Sequence, residues 1–353
     1  MKRYGYIYKD VCEIENIKLA INKASKGKKN RKGVKHILNN SDFYARKIQE
    51  MLVNKTYKPS PYIESIIFDG GNKKERLIHK PKFYPDQIIH WALMLQLEPF
   101  IRRGMYEHCC GSVPGKGSGW GHRFIEKWIR KDRRNTKYCL KLDISKFYQS
   151  INHDVLKKTF RNKFKDKELL WLVDSIIDSC DNGLPIGNYT SQWFANFLLQ
   201  DLDHYIKEKL QIKYYLRYID DMVLLGGNKK KLHKAKKEIE SILNGYSLFI
   251  KKNWQVFKID NRGLDFLGFR FFRNKTILRK RNALRIKRRI KKIKKKGKIT
   301  IKDASAVVSY WGWIKKSNSY NFYNKHVKKY IKIKQVRRVI SENSKHNNAR
   351  KGN

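Results

Sequence analysis

Residues 214–225 read Tyr-Tyr-Leu-Arg-Tyr-Ile-Asp-Asp-Met-Val-Leu-Leu, two apolar, β-prone runs bracketing an adjacent carboxylate pair, Asp220-Asp221. That pattern predicts a hairpin with both Asp residues at its tip. Asp-Asp is a poor turn choice on backbone grounds, because tight hairpins favour Asn-Gly or Asp-Gly where central residues take positive φ. Adjacent like charges also repel, and a divalent cation relieves that cost. Taken alone, the segment could equally be an exposed acidic turn.

A second acidic position fits the first. Residues 137–142 (Lys-Tyr-Cys-Leu-Lys-Leu) read as a short strand running directly into Asp143, and Phe147-Tyr148 follow at the start of an expected helix. Phosphoryl transfer by two metals needs carboxylates from separate segments to converge on ions about 3.5–4 Å apart. Asp143 with Asp220 and Asp221 could supply that set. By itself, Asp143 reads just as well as a helix cap.

Charge narrows the partner. Lys plus Arg number 81 against 31 acidic residues, a formal net of +50. A compact body with that charge repels itself unless a polyanion neutralises it. Nucleic acid, an anionic membrane surface and an acidic protein are the candidates. The basic residues run through the whole chain instead of lining one amphipathic helix, which favours nucleic acid. No segment approaches the roughly 20 apolar residues that span a bilayer, so no membrane partner is expected. Residues 1–6 lack the apolar core of a secretory signal. Cys12, Cys109, Cys110, Cys139 and Cys180 are odd in number and show no C-x-x-C spacing, which suits free thiols in a reducing compartment. A cytoplasmic location is the expectation.

Three segments differ in texture. Residues 1–55 form a basic N-terminal extension. In it Ser25 to Gly33 reads as a mobile basic loop between two helical stretches, the second running from Ser41 to Leu52. Residues 56–272 are denser in apolar residues. Short β-like runs (Tyr62 to Phe68, Tyr138 to Leu142) alternate there with helical stretches at Pro85 to Phe100 and Ser191 to Leu210. Residues 273–353 turn strongly basic, with Asp303 and Glu342 the only acidic positions. Arg279 to Lys298, with Leu284, Ile286, Ile290 and Ile293, suits a helix that lays one face on protein and the other on phosphate. The last dozen residues are expected to be disordered. No internal repeat is present. The glycines of Gly111 to Gly121 do not match a Walker loop, because Gly111 to Gly115 is one residue short and Gly117 follows Lys116.

The ordered set of segments resembles the reverse transcriptase family. Asp143 with Phe147-Tyr148, then Tyr218-Ile219-Asp220-Asp221, is similar to its first and second catalytic motifs. Residues 183–192 (Gly-Leu-Pro-Ile-Gly-Asn-Tyr-Thr-Ser-Gln) resemble the nucleotide-pocket motif between them. Downstream, residues 251–257 and 264–269 resemble the lysine motif and the primer-grip turn. Upstream, residues 75–81 and 110–117 resemble the fingers motifs. Each motif alone is weak; their order from residue 57 to 272 is specific.

The resemblance implies an α+β right-hand polymerase fold, with fingers and palm over residues 56–272. A helical basic thumb would follow over 273–353, including Ser309 to Lys315. It implies two Mg²⁺ ions held by Asp143, Asp220 and Asp221, with Tyr148 as a steric gate against ribose. Arg76 and Lys80 would contact the incoming triphosphate, Ile186 and Gln192 would line the nucleotide pocket, and either Lys251 or Lys252 would assist the leaving pyrophosphate. Template RNA, a primer or cDNA, and dNTPs would be the partners. Many relatives carry Gln where Ile186 stands and Pro where Gln192 stands. The form found here resembles enzymes of diversity-generating retroelements, which are error-prone at template adenines and work with a small basic accessory protein. The alternatives are a phage-defence reverse transcriptase, an intron maturase-like RNA-binding factor, and an RNA-binding protein with a vestigial site. No zinc endonuclease motif follows the thumb segment, which weighs against a self-sufficient intron protein.

Overall fold

Apolar residues at three- and four-residue spacing set the N-terminal helices. In Ile14–Ala24, the side chains of Ile17, Ala20, Ile21 and Ala24 share one buried face. That face packs on Ser41–Val53 and on Ile88–Arg103, whose Ile89, Leu93 and Leu97 are fully buried. Each such aliphatic side chain contributes roughly 1.5–3 kcal/mol on leaving water. The structure is a computed structural model and describes residues 3–69 and 74–349. It divides into two compact units, one of residues 1–117, 140–224 and 230–255, the other of 118–139, 225–229 and 256–353. Residues 1–55 therefore share a unit with the carboxylate segments.

Nine strands are present among the described residues. β1 (Ile63–Asp69) and β2 (Lys74–Lys80) form an antiparallel hairpin in which Ile63 faces Lys80 and Ile67 faces Arg76. β3 (Tyr138–Asp143), β4 (Tyr214–Tyr218), β5 (Asp221–Gly226) and β6 (Gln255–Lys258) form a sheet in the order β4-β5-β3-β6. The middle residues of β4 and β5 are all buried, which is why their sequence shows continuous apolar runs instead of alternation.

In the second unit β7 (Leu264–Phe266), β8 (Phe269–Phe271) and β9 (Thr276–Leu278) form an antiparallel sheet. The β7–β8 turn has positive φ at both Leu267 (49°) and Gly268 (88°), the requirement of a two-residue hairpin turn. Helices Ser118–Lys131, Lys280–Lys296, Ile301–Lys315 and Ile333–Ala349 complete this unit. The α+β organisation expected from the sequence is present, and no described helix is long and apolar enough to cross a membrane.

Four expectations change. The stretch Ser191 to Leu210 is two helices, Tyr189–Leu198 and Gln200–Glu208, because Leu199 leaves helical geometry at φ −90°, ψ 3°. The basic loop is anchored: Lys28 donates to Gln87 Oε1, and helix Lys32–Asn39 begins inside the run. In Lys280–Lys296, Ile286, Ile290 and Ile293 are buried at i, i+4, i+7, whereas Leu284 falls off that face and is exposed. Of the tail expected to be disordered, residues up to Ala349 continue a helix, and Arg350 to Asn353 lie outside the described residues.

Candidate active site

The carboxylates come from the ends of adjacent strands. Asp143 closes β3 and Asp221 opens β5. The hairpin turn consists of Ile219 and Asp220, so its tip lies one residue earlier than the Asp-Asp tip expected from sequence. Ile219 takes φ 61°. For a β-branched side chain that is an uncommon, strained conformation, costing on the order of 1–3 kcal/mol. Gly111 makes room for it, since a Cβ there would lie 2.5 Å from the Ile219 backbone nitrogen.

The first carboxylate segment meets the second through the backbone. The Ile144 amide donates to the Asp220 carbonyl at 3.4 Å. Burial, then the charge of Asp143, and to a lesser degree that of Asp221, push the Asp220 carboxyl up to about 6, with Lys251 opposing the shift. Two ammonium groups offset the negative charge. Lys251 Nζ donates to Asp143 Oδ1 at 2.6 Å, and Lys141 Nζ lies 3.9 Å from Asp221 Oδ1. Of Lys251 and Lys252, it is Lys251 whose ammonium contacts Asp143.

Tyr148 stands beside this group, in the short helix Phe147–Ser150. Burial and the neighbouring Asp220 charge push its hydroxyl up to about 12, so it stays neutral. Residues 183–192 dock on the same backbone: the Leu184 amide donates to the Tyr148 carbonyl at 2.7 Å. A Cβ at Gly183 (φ 65°) would sit 2.3 Å from that carbonyl oxygen, which reserves the position for glycine.

Three of the remaining candidates, Ile186, Lys80 and Gln192, distribute over two cavities. Ile186 accepts a hydrogen bond from the His79 amide at 2.9 Å. With Tyr62, His79, Gln149, Leu184 and Pro185 it lines a cavity of about 420 Å³. Lys80 and Gln192 line a second cavity of about 530 Å³, together with Lys28, Arg31, Lys82 and His90. Ile186 and Gln192, grouped by sequence, thus line different cavities. Arg76 is exposed on β2 opposite Ile67, and alternation along the strand sets it on the same face as Lys80.

Sequence reasoning missed Lys28 and Arg31 as cavity residues. Their signal was the charge run at residues 25–33, read as a loop without a destination. It also missed Arg217, fully buried in β4 and paired with the equally buried Asp203.

Chemically, three carboxylates offer hard oxygen donors of the kind magnesium prefers. Among the described residues no three His, Cys, Asp or Glu side chains stand close enough to form a ready-made cage. Magnesium seldom uses an all-protein cage; it binds through one or two carboxylates plus waters and substrate phosphates. The donor set fits such an ion, and the Asp143 and Asp221 charges add to burial in raising the Asp220 carboxyl.

The sequence model of the family described as reverse transcriptase (RNA-dependent DNA polymerase) matches residues 28–271. Protein YkfC of Escherichia coli (strain K12) is 23% identical over 274 residues, covering 65% of this chain and 71% of its own. The retron Ec73 reverse transcriptase of Escherichia coli is 32% identical over 133 residues, 33% of this chain and 42% of its own. The retron Se72 reverse transcriptase of Salmonella heidelberg is 24% identical over 189 residues, 52% of this chain and 47% of its own. The chain thus spans less than half the length of the two retron enzymes.

Proposed function

Because the chain belongs to the reverse transcriptase family, we propose that it extends a primer 3′ hydroxyl with deoxynucleotides on an RNA template, using Asp143, Asp220 and Asp221. The observation that carries the reading is the approach of Asp143 to the Asp220–Asp221 hairpin: the Ile144 amide donates to the Asp220 carbonyl, and the Asp143 charge adds to burial in raising the Asp220 carboxyl.

In this reading the three carboxylates hold two magnesium ions, which when bound supply Lewis-acid activation of the attacking oxygen and neutralise charge on the leaving pyrophosphate. The protein's share is positioning and preorganised charge. Tyr148, neutral and half-buried beside Asp220, fills the space a ribose 2′ hydroxyl would need. Arg76 and Lys80, on one face of β2, steer the triphosphate. Lys251 balances Asp143 until substrate arrives. Residues 56–272 serve as fingers and palm, and the basic helices after 273 as thumb, holding the duplex through its phosphates.

The subtype reading shifts. Ile186 and Gln192 suggested a diversity-generating retroelement enzyme that misincorporates at adenines. The relatives found include retron reverse transcriptases, which favours the alternative, a phage-defence reverse transcriptase. Primer extension on a defined RNA template tests the activity: incorporation of dNTPs that stops on chelation of magnesium supports it, and no extension with primer–template bound refutes it. Sequencing the products tests the subtype. Error rates equal across template bases support the defence enzyme, whereas errors concentrated at adenines restore the diversity-generating one.

A further inference from the structure

We infer that Arg217 is a positioning residue for the catalytic hairpin: its guanidinium, neutralised by Asp203, grips the Ile219 carbonyl and holds the peptide that aims Asp220. The inference rests on the reading of Asp220 as a catalytic carboxylate.

The turn does not hold itself. Ile219 sits at φ 61°, a conformation its branched side chain disfavours, so surrounding contacts must fix it. The described backbone contacts nearby are few. The Ile144 amide reaches the Asp220 carbonyl at 3.4 Å, and the Cys110 amide reaches the Arg217 carbonyl at 3.0 Å. Neither bonds the Ile219 carbonyl. Arg217 Nη1 does, at 3.0 Å.

The rest of the guanidinium is fully used. Nε donates to Asp203 Oδ1 at 2.7 Å and Nη2 to Asp203 Oδ2 at 2.5 Å, a two-pronged pairing. Nη1 also donates to Asn196 Oδ1 at 2.9 Å, and Nη2 to the Asn196 carbonyl at 3.4 Å. Asp203 additionally accepts from the Tyr215 hydroxyl at 2.7 Å. All five N–H groups of the arginine therefore have acceptors. Asn196 and Asp203 stand on the helices Tyr189–Leu198 and Gln200–Glu208. Through Arg217 the tip of the hairpin is tied to both.

Stability alone is a weak reason for such a hub. Both charges are completely buried, and an apolar replacement of a buried ion pair is often at least as stable. What an apolar set could not supply is a donor at the Ile219 carbonyl. Lysine would keep the charge opposite Asp203 but not the planar fork that reaches acceptors on Asp203, Asn196 and Ile219 at once.

The test uses the full chain and separates this role from folding and from the catalytic reading. Arg217→Lys keeps the ion pair. The triple variant Arg217→Met, Asp203→Leu, Tyr215→Phe removes the network without leaving a buried charge. Each is measured for thermal unfolding, primer–template affinity, KM for dNTP and single-turnover rate, beside Asp220→Asn. The expected result is a rate about ten- to a hundredfold lower in both network variants, with affinity and KM within about twofold of wild type. Adding Ile219→Gly, which adopts positive φ freely, to Arg217→Lys is expected to recover at least about threefold in rate. A rate per folded molecule within twofold of wild type in either network variant overturns the inference. So does failure of both to fold, or no recovery with Ile219→Gly. A wild-type rate in Asp220→Asn would instead remove the catalytic reading itself.

Discussion

Lys251 and Asp143 form an ion pair in which the ammonium lies 2.6 Å from Oδ1, and the Lys251 amide also donates to the Asp143 carbonyl at 2.8 Å. One residue thus holds a candidate catalytic carboxylate by both its side chain and its backbone. The pair is about a third exposed on each side, 35% and 29%, so its contribution to stability is small, about 1 kcal/mol or less. Its importance is electrostatic and local.

Lys251→Met should therefore leave the unfolding temperature nearly unchanged while lowering the polymerisation rate about tenfold or more. Lys252→Met should change neither. Steady-state primer extension beside thermal unfolding reads both, and equal effects at the two positions would remove Lys251 from its special role.

Tyr148→Ala should admit ribonucleotides. The ratio of kcat/KM for dNTP over rNTP is expected to fall about tenfold or more. Tyr148→Phe should keep the discrimination, because the hydroxyl is neutral and the ring supplies the bulk. Competition between labelled dNTP and rNTP on one template measures the ratio.

Gly111→Ala should cost about 1–3 kcal/mol, the range for forcing an atom into a packed site. The added methyl meets the Ile219 backbone nitrogen at 2.5 Å, so the hairpin must move. Denaturant unfolding gives the stability, and synthesis should fall with it. Gly115→Ala meets no atom within 4 Å, and its cost is limited to the positive φ of that residue.

Acid should destabilise the protein through buried histidines. Burial pushes His90 down to about 3 and His108 to about 4. Between pH 6.5 and those values the unfolded chain binds protons that the folded chain refuses, so stability is complete above about pH 6.5 and is lost as pH falls. Each group contributes a slope of up to about 1.4 kcal/mol per pH unit. His90→Phe should flatten the dependence of unfolding free energy on pH by about one proton. An unchanged slope between pH 6 and 4 would contradict the burial argument.

The parts of the site that were legible from sequence are those whose signal is local. Apolar runs around Asp220-Asp221 and before Asp143 announce strands, and carboxylates where strands end announce chemistry. What was not legible depends on distant partners. Arg217 in a strand reads as an exposed cation until Asp203 and Asn196 are seen beside it. The turn at Ile219 defies local preference, because a β-branched residue avoids positive φ unless its surroundings impose it. Lys28 and Arg31 read as a solvated charge run, since nothing nearby in sequence shows that they reach the cavity of Lys80 and Gln192. The break at Leu199 likewise falls inside an unbroken apolar periodicity.

Asp143 lies far in sequence from the Asp220–Asp221 pair, so Asp143→Asn tests their joint action most directly. Extension of a DNA primer on an RNA template, measured with primer–template affinity on the same preparation, should show synthesis lowered at least about a hundredfold and binding within twofold of wild type. Wild-type synthesis by the folded Asp143→Asn protein would contradict the account.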